Sequence, residues 1–475
     1  MPSLFSGLNV ALRALLAQQE SIQVIEHNVA NANTPGYRRQ QAVLSTGVPT
    51  MLSIGYAPGA IGQLGTGVMV EQVKRFSLDF MDVRYRDQVS ASKQWALERD
   101  SLQQVETSLS ENSTNGVGAL LDDFWNQWQA LSNDPTNQTF RSALMDSSQK
   151  LVNAFNSRST SLSNMRSDQN LSLVQHVQEV NELASQVAEL NGEISHVLAT
   201  NDQPNDQMDK RDIALDRLAE LTGATSHKQE NGEVIVSING HVLVSGQQAY
   251  KLVTTNSVPT ATVSWEDGQA FSPVTGELAG TLDVRDKVIP GLQKGLDDTA
   301  FALIKAVNAI HNPDPATVPP PSNPPYAAPG MDFFKDVGSS NGAAGTIQLN
   351  PNLKNSDILG ASAVNPGDGT IAQLISNVRT QAQASLGNAT INDYYTNQSA
   401  GLGLAIQNAT SNATNHDLVA SALSSQRDSF TGVNLDEEAA SLVSAQKAYQ
   451  AATRVFNAMD DMMDRIINGL GLVGR

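Results

Sequence analysis

Two short patterns in this chain have the form of reaction motifs. Gly338-Ser339-Ser340-Asn341-Gly342 fits G-x-S-x-G, in which the central serine is a nucleophile for acyl transfer, lifted onto a sharp turn. That elbow needs a strand before it and a helix after it, and the neighbours here are Gly, Ser and Ala. Gly469-Leu470-Gly471-Leu472-Val473-Gly474 fits G-x-G-x-x-G, the phosphate-cradling turn of dinucleotide folds. It follows a helical pattern, and the one residue after it leaves no room for a strand-helix-strand unit. The seven histidines, His27, His176, His196, His227, His241, His311 and His416, include no pair at the i, i+4 spacing that shares a metal on one helix face. Asp202, Asp206, Asp209 and Asp212 could crowd around a cation but lack the EF-hand pattern. They read instead as carboxylates near a helix start after Pro204, favoured there by the helix dipole. No catalytic residue, metal or cofactor is therefore predicted, and the chain reads as a non-enzyme. A secreted hydrolase with a coiled-coil anchor, using Ser340, is the competing reading from another class.

The spacing that does carry information is apolar. Leu435, Leu442, Tyr449, Phe456, Met463 and Leu470 recur every seventh position, and Ala445, Ala452, Met459 and Ile466 form a second row three residues on. Two such rows lay a narrow seam along a helix and wind it around a partner. Near the other end, Leu8, Leu15, Ile22 and Val29 also repeat at seven, with Ala11, Ile25 and Ala32 three positions further on. Arg13, Gln18, Gln19, Glu20 and Gln23 interrupt the first segment and acidic residues the second, so neither suits a membrane span. Pairing the two segments is the simplest way to bury both seams. The plainer alternative is an ordinary amphipathic helix docked on a globular core.

Composition narrows the class. With 475 residues the chain has room for two to four domains. Thirty basic against 48 acidic residues give a formal charge of -18, which argues against a nucleic-acid partner held through phosphates. Cysteine is absent, which excludes disulfides and thiolate chemistry and suits a chain exported unfolded. Met1 to Val10 lacks the basic and apolar regions of a cleaved secretion signal, so export by another route is expected.

Along the chain, residues 3 to 32 read as one helix, capped by Ser3 and stopped at Pro35-Gly36. Residues 37 to 80 are Gly-rich and β-leaning, an extended and irregular segment. From Leu78 to Leu221 the pattern is helical, with one helix around Leu97 to Leu109, a second through Trp125 and Trp128 ending near Asp134-Pro135, and a long third from about Thr136 to Thr200. At roughly 1.5 Å per residue the third approaches 100 Å, which predicts a rod. Glu233 to Ile238, Asn239-Gly240 and His241 to Val244 spell a hairpin with a type I′ turn inside a small β region. Helix is expected again over Val288 to His311, from about Ala400 to Phe430, and from Asn434 to Asn468-Gly469. Pro313 to Pro329 reads as a Pro-rich loop, and Asn434 with Glu437 has capping-box spacing.

The predicted class is therefore mainly α with a β insertion, built from nested, discontinuous domains. Residues 1–45 with 431–475 would form a terminal coiled-coil core, 46–222 with 286–430 a helical rod domain with irregular segments, and 223–285 an outer β domain. The fold of residues 330–395 is not legible.

One further string is specific. Asn28-Val29-Ala30-Asn31-Ala32-Asn33-Thr34-Pro35-Gly36-Tyr37-Arg38-Arg39 resembles the Asn-rich, Pro-Gly-Tyr signature shared by the axial proteins of the bacterial flagellum. Asn31, Asn33, Thr34, Pro35, Gly36 and Tyr37 carry the match. Asn434 to Val443 and Ala445 to Ala452 are similar to the C-terminal segment of the hook-associated members, and Asp206 to Asp212, Asp123-Phe124-Trp125 and Asn133-Asp134-Pro135 fit their helical region.

That resemblance implies a structural subunit joining hook to filament, with terminal helices around an export channel and β domains outward. It implies a ring-forming homo-oligomer whose partners are the hook protein, other hook-associated proteins and a cytoplasmic export chaperone, with no nucleic acid and no membrane insertion. The expected location is extracellular, at the hook-filament junction. Leu8, Leu15, Ile22, Val29, Leu435, Leu442, Tyr449, Phe456 and Met463 are the expected assembly interface. The implied chaperone contacts are Leu442, Tyr449, Phe456 and Met463. A hook or distal rod protein, which shares the N-terminal element, is the alternative within the class.

Overall fold

The computed structural model describes residues 4–51, 63–109, 114–255, 260–312, 331–358, 360 and 367–469. Ser3, the Gly55 to Gly62 part of the extended segment, the Pro313 to Pro329 loop, Leu470 and most of the Gly469 to Gly474 motif lie outside the described residues. The chain is mainly helical with small antiparallel sheets. It divides into two compact units, one of residues 1–90, 179–252 and 417–475, the other of 91–178 and 253–416. The boundary thus falls inside the β segment 223–285, and three helices run through it in sequence.

In the first unit, helix α1 (Leu4–Ala30) ends at the Thr34-Pro35-Gly36-Tyr37 turn. The Tyr37 N–H closes that turn on the Thr34 carbonyl at 3.1 Å, and Gly36 sits at φ +76. Pro at the first central position and a positive φ at the second define a type II turn. Strand β1 (Gln40–Thr46) then pairs antiparallel with β4 (Val68–Arg75), with a bulge at Val43/Leu44, and the short strands β2 (Thr50–Met51) and β3 (Gln63–Leu64) pair above them in sequence. The segment read as irregular is therefore partly ordered by a ladder. Its alternation is weak because few of its side chains are buried.

Helix α2 (Asp79–Leu109) starts well before the apolar run that marked it, because Asp79 and Asp82 fill its first turn. Helix α3 is Val117–Asn133, and α4 (Gln138–Ala199) is a single helix of 62 residues. Helix α5 (Asn205–Thr222) ends on Gly223 at φ +67, a left-handed cap. Strands β5 (Thr225–Lys228), β6 (Val234–Ile238), β7 (His241–Ser245) and β8 (Gln248–Ala249) form one antiparallel sheet. Asn239 and Gly240 lie at φ 49 and 85, the paired positive values of the predicted I′ turn.

The second unit holds the aromatic core. Phe124, Trp125 and Trp128 of α3, Phe155 of α4, and Phe333 and Phe334 are fully buried. Strands β9 (Leu252–Thr255) and β10 (Thr262–Trp265) pair there, followed by α6 (Glu277–Asp283), a π turn at Val284–Val288 and α7 (Ile289–His311). The helix expected over Val288 to His311 is α7, and α6 with the π turn continues it back to Glu277. Short helices α8 (Ala343–Thr346) and α9 (Thr370–Asn377) follow, then α10 (Ile391–Thr431) and α11 (Leu435–Gly469). Gly338-Ser339-Ser340-Asn341-Gly342 is a turn in front of the four-residue α8, and Asp297 accepts from the N–H groups of the capping Gly342 and of Ala344, both at 2.9 Å. An isolated bridge, not a strand, precedes it.

Candidate functional site

Helices α1 and α11 pack along one another, and this pair is the most extensive helix contact in the first unit. Ala11 and Ala17 of α1 and Ala445 of α11 are buried, and a Cβ on Gly7 would lie 3.1 Å from the Met459 methyl. Small residues let the two backbones approach there. Leu8, Leu15, Ile22, Leu442, Phe456 and Met463 are half-buried. Val29, Leu435 and Tyr449 are exposed at 44%, 53% and 38%.

The turn that follows α1 anchors this pair. The Asn28 side chain, 1% exposed, satisfies all four of its hydrogen-bonding positions. Its Oδ1 accepts from the Tyr37 hydroxyl at 2.8 Å and from the Gln40 N–H at 3.0 Å. Its Nδ2 donates to the Gln40 carbonyl at 2.8 Å and to Glu438 Oε2 of α11 at 3.1 Å. Because the Tyr37 proton goes to Asn28, the tyrosine oxygen accepts from His27 Nδ1 at 3.0 Å, which sets that tautomer. Burial, with Asp206, Asp209 and Glu438 nearby, pushes the Tyr37 hydroxyl well above its usual range. Asn31 Nδ2 closes on the His27 carbonyl at 3.0 Å and Thr34 Oγ1 donates to Asn31 Oδ1 at 3.2 Å, while Asn33 and Pro35 face solvent.

Beneath the turn lies a cluster that periodicity did not disclose. Arg38 forms a bidentate pair with Asp82, both bonds 2.8 Å, and lies 3.3 Å from Asp212. Arg75 binds Asp209 at 2.6 Å and also Asp212. Arg86 reaches Asp216 at 2.6 Å and Asp212 at 3.3 Å, and Arg427 of α10 reaches Asp216 at 2.7 Å and stacks 4.2 Å from the Tyr85 ring centroid. Burial alone would raise the Asp212 carboxyl, but Arg75, Arg38 and Arg86 together hold it well below the usual range. For Asp209 burial prevails and its pKa is raised.

The expected role of the Asp run is corrected accordingly. Only Asp206 sits in the first turn of α5, whereas Asp209 and Asp212 neutralise buried guanidinium groups rather than the helix dipole. Their spacing with Asp216, i, i+3 and i+7 on one helix face, was the available signal. The capping box at α11 is also revised. Asn434 Oδ1 does accept from the Asp436 and Glu437 N–H groups at 3.0 and 3.4 Å, but the Glu437 carboxylate pairs with Arg39 at 2.8 Å. Arg39 also binds Glu438 at 2.7 Å, so one arginine of the segment after α1 holds two carboxylates in the first turn of α11. Among the described residues no cluster of His, Cys, Asp and Glu suits a metal, and no helix is long and apolar enough to cross a membrane.

The paired terminal helices, locked by the Thr-Pro-Gly-Tyr turn, coincide with two family matches that mark an axial protein of the flagellum. Residues 8–38 match the family "Flagella basal body rod protein", and 425–469 match "Flagellar basal body rod FlgEFG protein C-terminal". Between them, residues 102–314 match "Flagellar hook-associated protein FlgK helical domain". The chain is 30% identical over 515 residues to flagellar hook-associated protein 1 of Bacillus subtilis, covering 100% of both chains. It is 24% identical to the Escherichia coli protein of that name over 551 residues, covering 98% and 99%. It belongs to the flagellar hook-associated protein 1 family, structural proteins of the hook-filament junction. The flagellar hook junction protein FlgK from Burkholderia pseudomallei shares the fold, with a TM-score of 0.58 at 15% identity, over 73% of this chain and 100% of that one. The hook and distal rod alternative gives way to this membership.

Proposed function

We propose that this subunit joins hook to filament through packing of α1 and α11 against neighbouring subunits, after export. The observation that supports this most is the terminal pair itself, which buries one seam yet leaves Leu12, Leu16, Val443, Val455, Met462 and Ile466 exposed. A two-helix ribbon with apolar residues on its outer faces is marginal alone in water and gains by burial against further helices. Copies of this chain form a ring, with the hook protein on one side and another hook-associated protein on the other. In this reading residues 1–45 and 431–475 are the assembly core, 46–222 with 286–430 the helical body, and 223–285 the outward β region.

Before export, a cytoplasmic chaperone covers Leu442, Tyr449, Phe456 and Met463. Three of these four are half-buried beside Ala445, on the face that meets α1. Chaperone and α1 therefore compete, and the chaperone holds the chain in its unassembled state. Amide exchange on the free and assembled subunit tests the mechanism. Residues 435–468 should exchange fast in the monomer and slowly in the junction; full protection in the monomer refutes fold-on-assembly. Cells lacking the gene should carry hooks without filaments.

A further inference from the structure

Helix α11 has two apolar faces, and only one meets α1. On the other, Ala448, Ala451, Val455, Ala458 and Met462 follow one another at intervals of three and four and are all exposed, Val455 by 49% and Met462 by 44%. Lys447 and Arg454 flank this stripe one heptad apart, and neither forms an ion pair among the described residues.

A groove of about 930 Å³ opens where α10 turns into α11. Its walls include Ala32, Ile213, Val433 and Leu435, of which Ile213 and Leu435 are 47% and 53% exposed. Its rim carries Asp428 and Asp436, both exposed and also without ion pairs among the described residues. Stripe and groove are thus complementary: the apolar stripe can meet Ala32, Ile213, Val433 and Leu435 within a lining that is otherwise mostly polar, and two open cations face two open carboxylates.

The same chain cannot satisfy the match. Leu435 and Val455 lie on one continuous helix, about 30 Å apart at 1.5 Å per residue. Resting on the reading of a self-assembling subunit, we propose that the outer α11 stripe of one copy seats in the α10–α11 groove of a second copy, head to tail. Stripe and groove are different surfaces, so the contact is heterologous and propagates into a ring or a helical row instead of stopping at a dimer. The charged rim fixes polarity, since stripe against stripe would place cation on cation.

The absence of cysteine makes the test clean. Full-length Val455→Cys/Leu435→Cys is expressed in cells lacking the native gene, and isolated flagella are treated with a short bis-maleimide. The expected result is a ladder of dimers and higher multimers, with only monomer from either single variant. Dimers from Val455→Cys alone overturn the proposal in favour of an isologous contact. Monomer throughout, with the subunit present in the flagella, overturns the groove but spares self-assembly. Absence of the wild-type subunit from isolated flagella refutes the underlying reading instead. Should the double variant fail to incorporate, Lys447→Glu/Arg454→Glu is expected to lose filament attachment and regain it with Asp428→Lys/Asp436→Lys. Failure of that rescue while both variants are secreted also overturns the assignment.

Discussion

Asn28 and Glu438 are 410 positions apart in sequence, and the asparagine Nδ2 donates to the glutamate Oε2 at 3.1 Å in a site where both residues are 1% exposed. This bond ties the end of α1 to the first turn of α11. Asn28→Ala leaves the Gln40 N–H, the Gln40 carbonyl and Glu438 each short of a buried partner. The expected cost is about 2 kcal/mol or more, from the desolvation of unpaired polar groups. Site-resolved amide exchange should show α1 and α11 opening faster, with α3 unchanged. Equal loosening of both units refutes a local role.

Asp212 and Asp209 should behave differently although both face arginines. Asp212→Asn removes the shared anion from Arg38, Arg75 and Arg86, and breaking a buried pair costs about 3–5 kcal/mol. Asp209→Asn keeps an acceptor for the Arg38 N–H and should cost less. The pH signs are opposite. The native pKa of Asp212 is depressed, so its stabilisation is present above the unfolded value near ~3.9 and is lost as pH falls below it. That of Asp209 is raised, so its contribution weakens as pH rises through the carboxylate range. Acid titration of the two variants checks this. A wild-type acid profile left unchanged by Asp212→Asn contradicts the assignment.

What the sequence discloses depends on how far apart the partners lie. The I′ hairpin at Asn239-Gly240 and the Pro35-Gly36 turn are local, fixed by backbone limits of single residues, and both are found where expected, the second as a type II turn. The seams of α1 and α11 are periodic and were legible without knowledge of their pairing. The arginine cluster was not. Arg427 and Asp216 are 211 positions apart and Arg86 and Asp212 are 126, and a charged side chain in a string gives no sign that it will be buried. In the sequence, Arg38 and Arg39 are only the tail of a turn motif. In the structure they point to two different networks, Arg38 to Asp82 and Arg39 to Glu437 and Glu438.

Gly36 is required by its backbone as well as its space. A Cβ there would sit 2.5 Å from Ile213 Cδ1, at φ +76. Ile213 is half-exposed and can swing aside, so Gly36→Ala should cost roughly 1–2 kcal/mol, mainly the left-handed penalty. Gly36→Asn should cost less, because Asn tolerates that region. Urea titration followed by exchange at Tyr37 and Arg38 ranks the series. Full rescue of Gly36→Ala by Ile213→Ala identifies the steric clash as the whole effect and refutes the backbone argument.

His311 makes the second unit acid-sensitive. It is fully buried, its Nδ1–H donates to the Met331 carbonyl at 2.6 Å, and burial lowers its pKa from 6.5 to about 4. The neutral form is favoured in the fold, so its stabilisation is complete above pH 6.5 and is lost as pH falls towards about 4. The loss amounts to about 3 kcal/mol across that window. Trp128, whose ring centroid lies 6.2 Å from His311, is the reporter. His311→Gln keeps a donor but does not titrate, and its fluorescence-monitored stability should be flatter over this range. A slope equal to wild type assigns the acid loss to other groups.

Adjacent residues on α11 separate pairing within the subunit from pairing between subunits. Phe456 is half-buried on the face that meets α1, whereas Val455 is 49% exposed on the outer stripe. A charge at 456 has to be buried against α1 or expel it, at a cost of several kcal/mol. Phe456→Asp should therefore raise exchange along α1 in the assembled subunit and weaken chaperone binding. Val455→Asp leaves the monomer as it was, because an exposed position accepts a charge without desolvation, yet it places an anion beside Asp428 and Asp436 of the next copy. Secretion should continue while filament attachment falls. If Val455→Asp assembles normally, the outer stripe has no role in the junction. If Phe456→Asp alone leaves α1 exchange unchanged, the inner seam does not hold the two termini together.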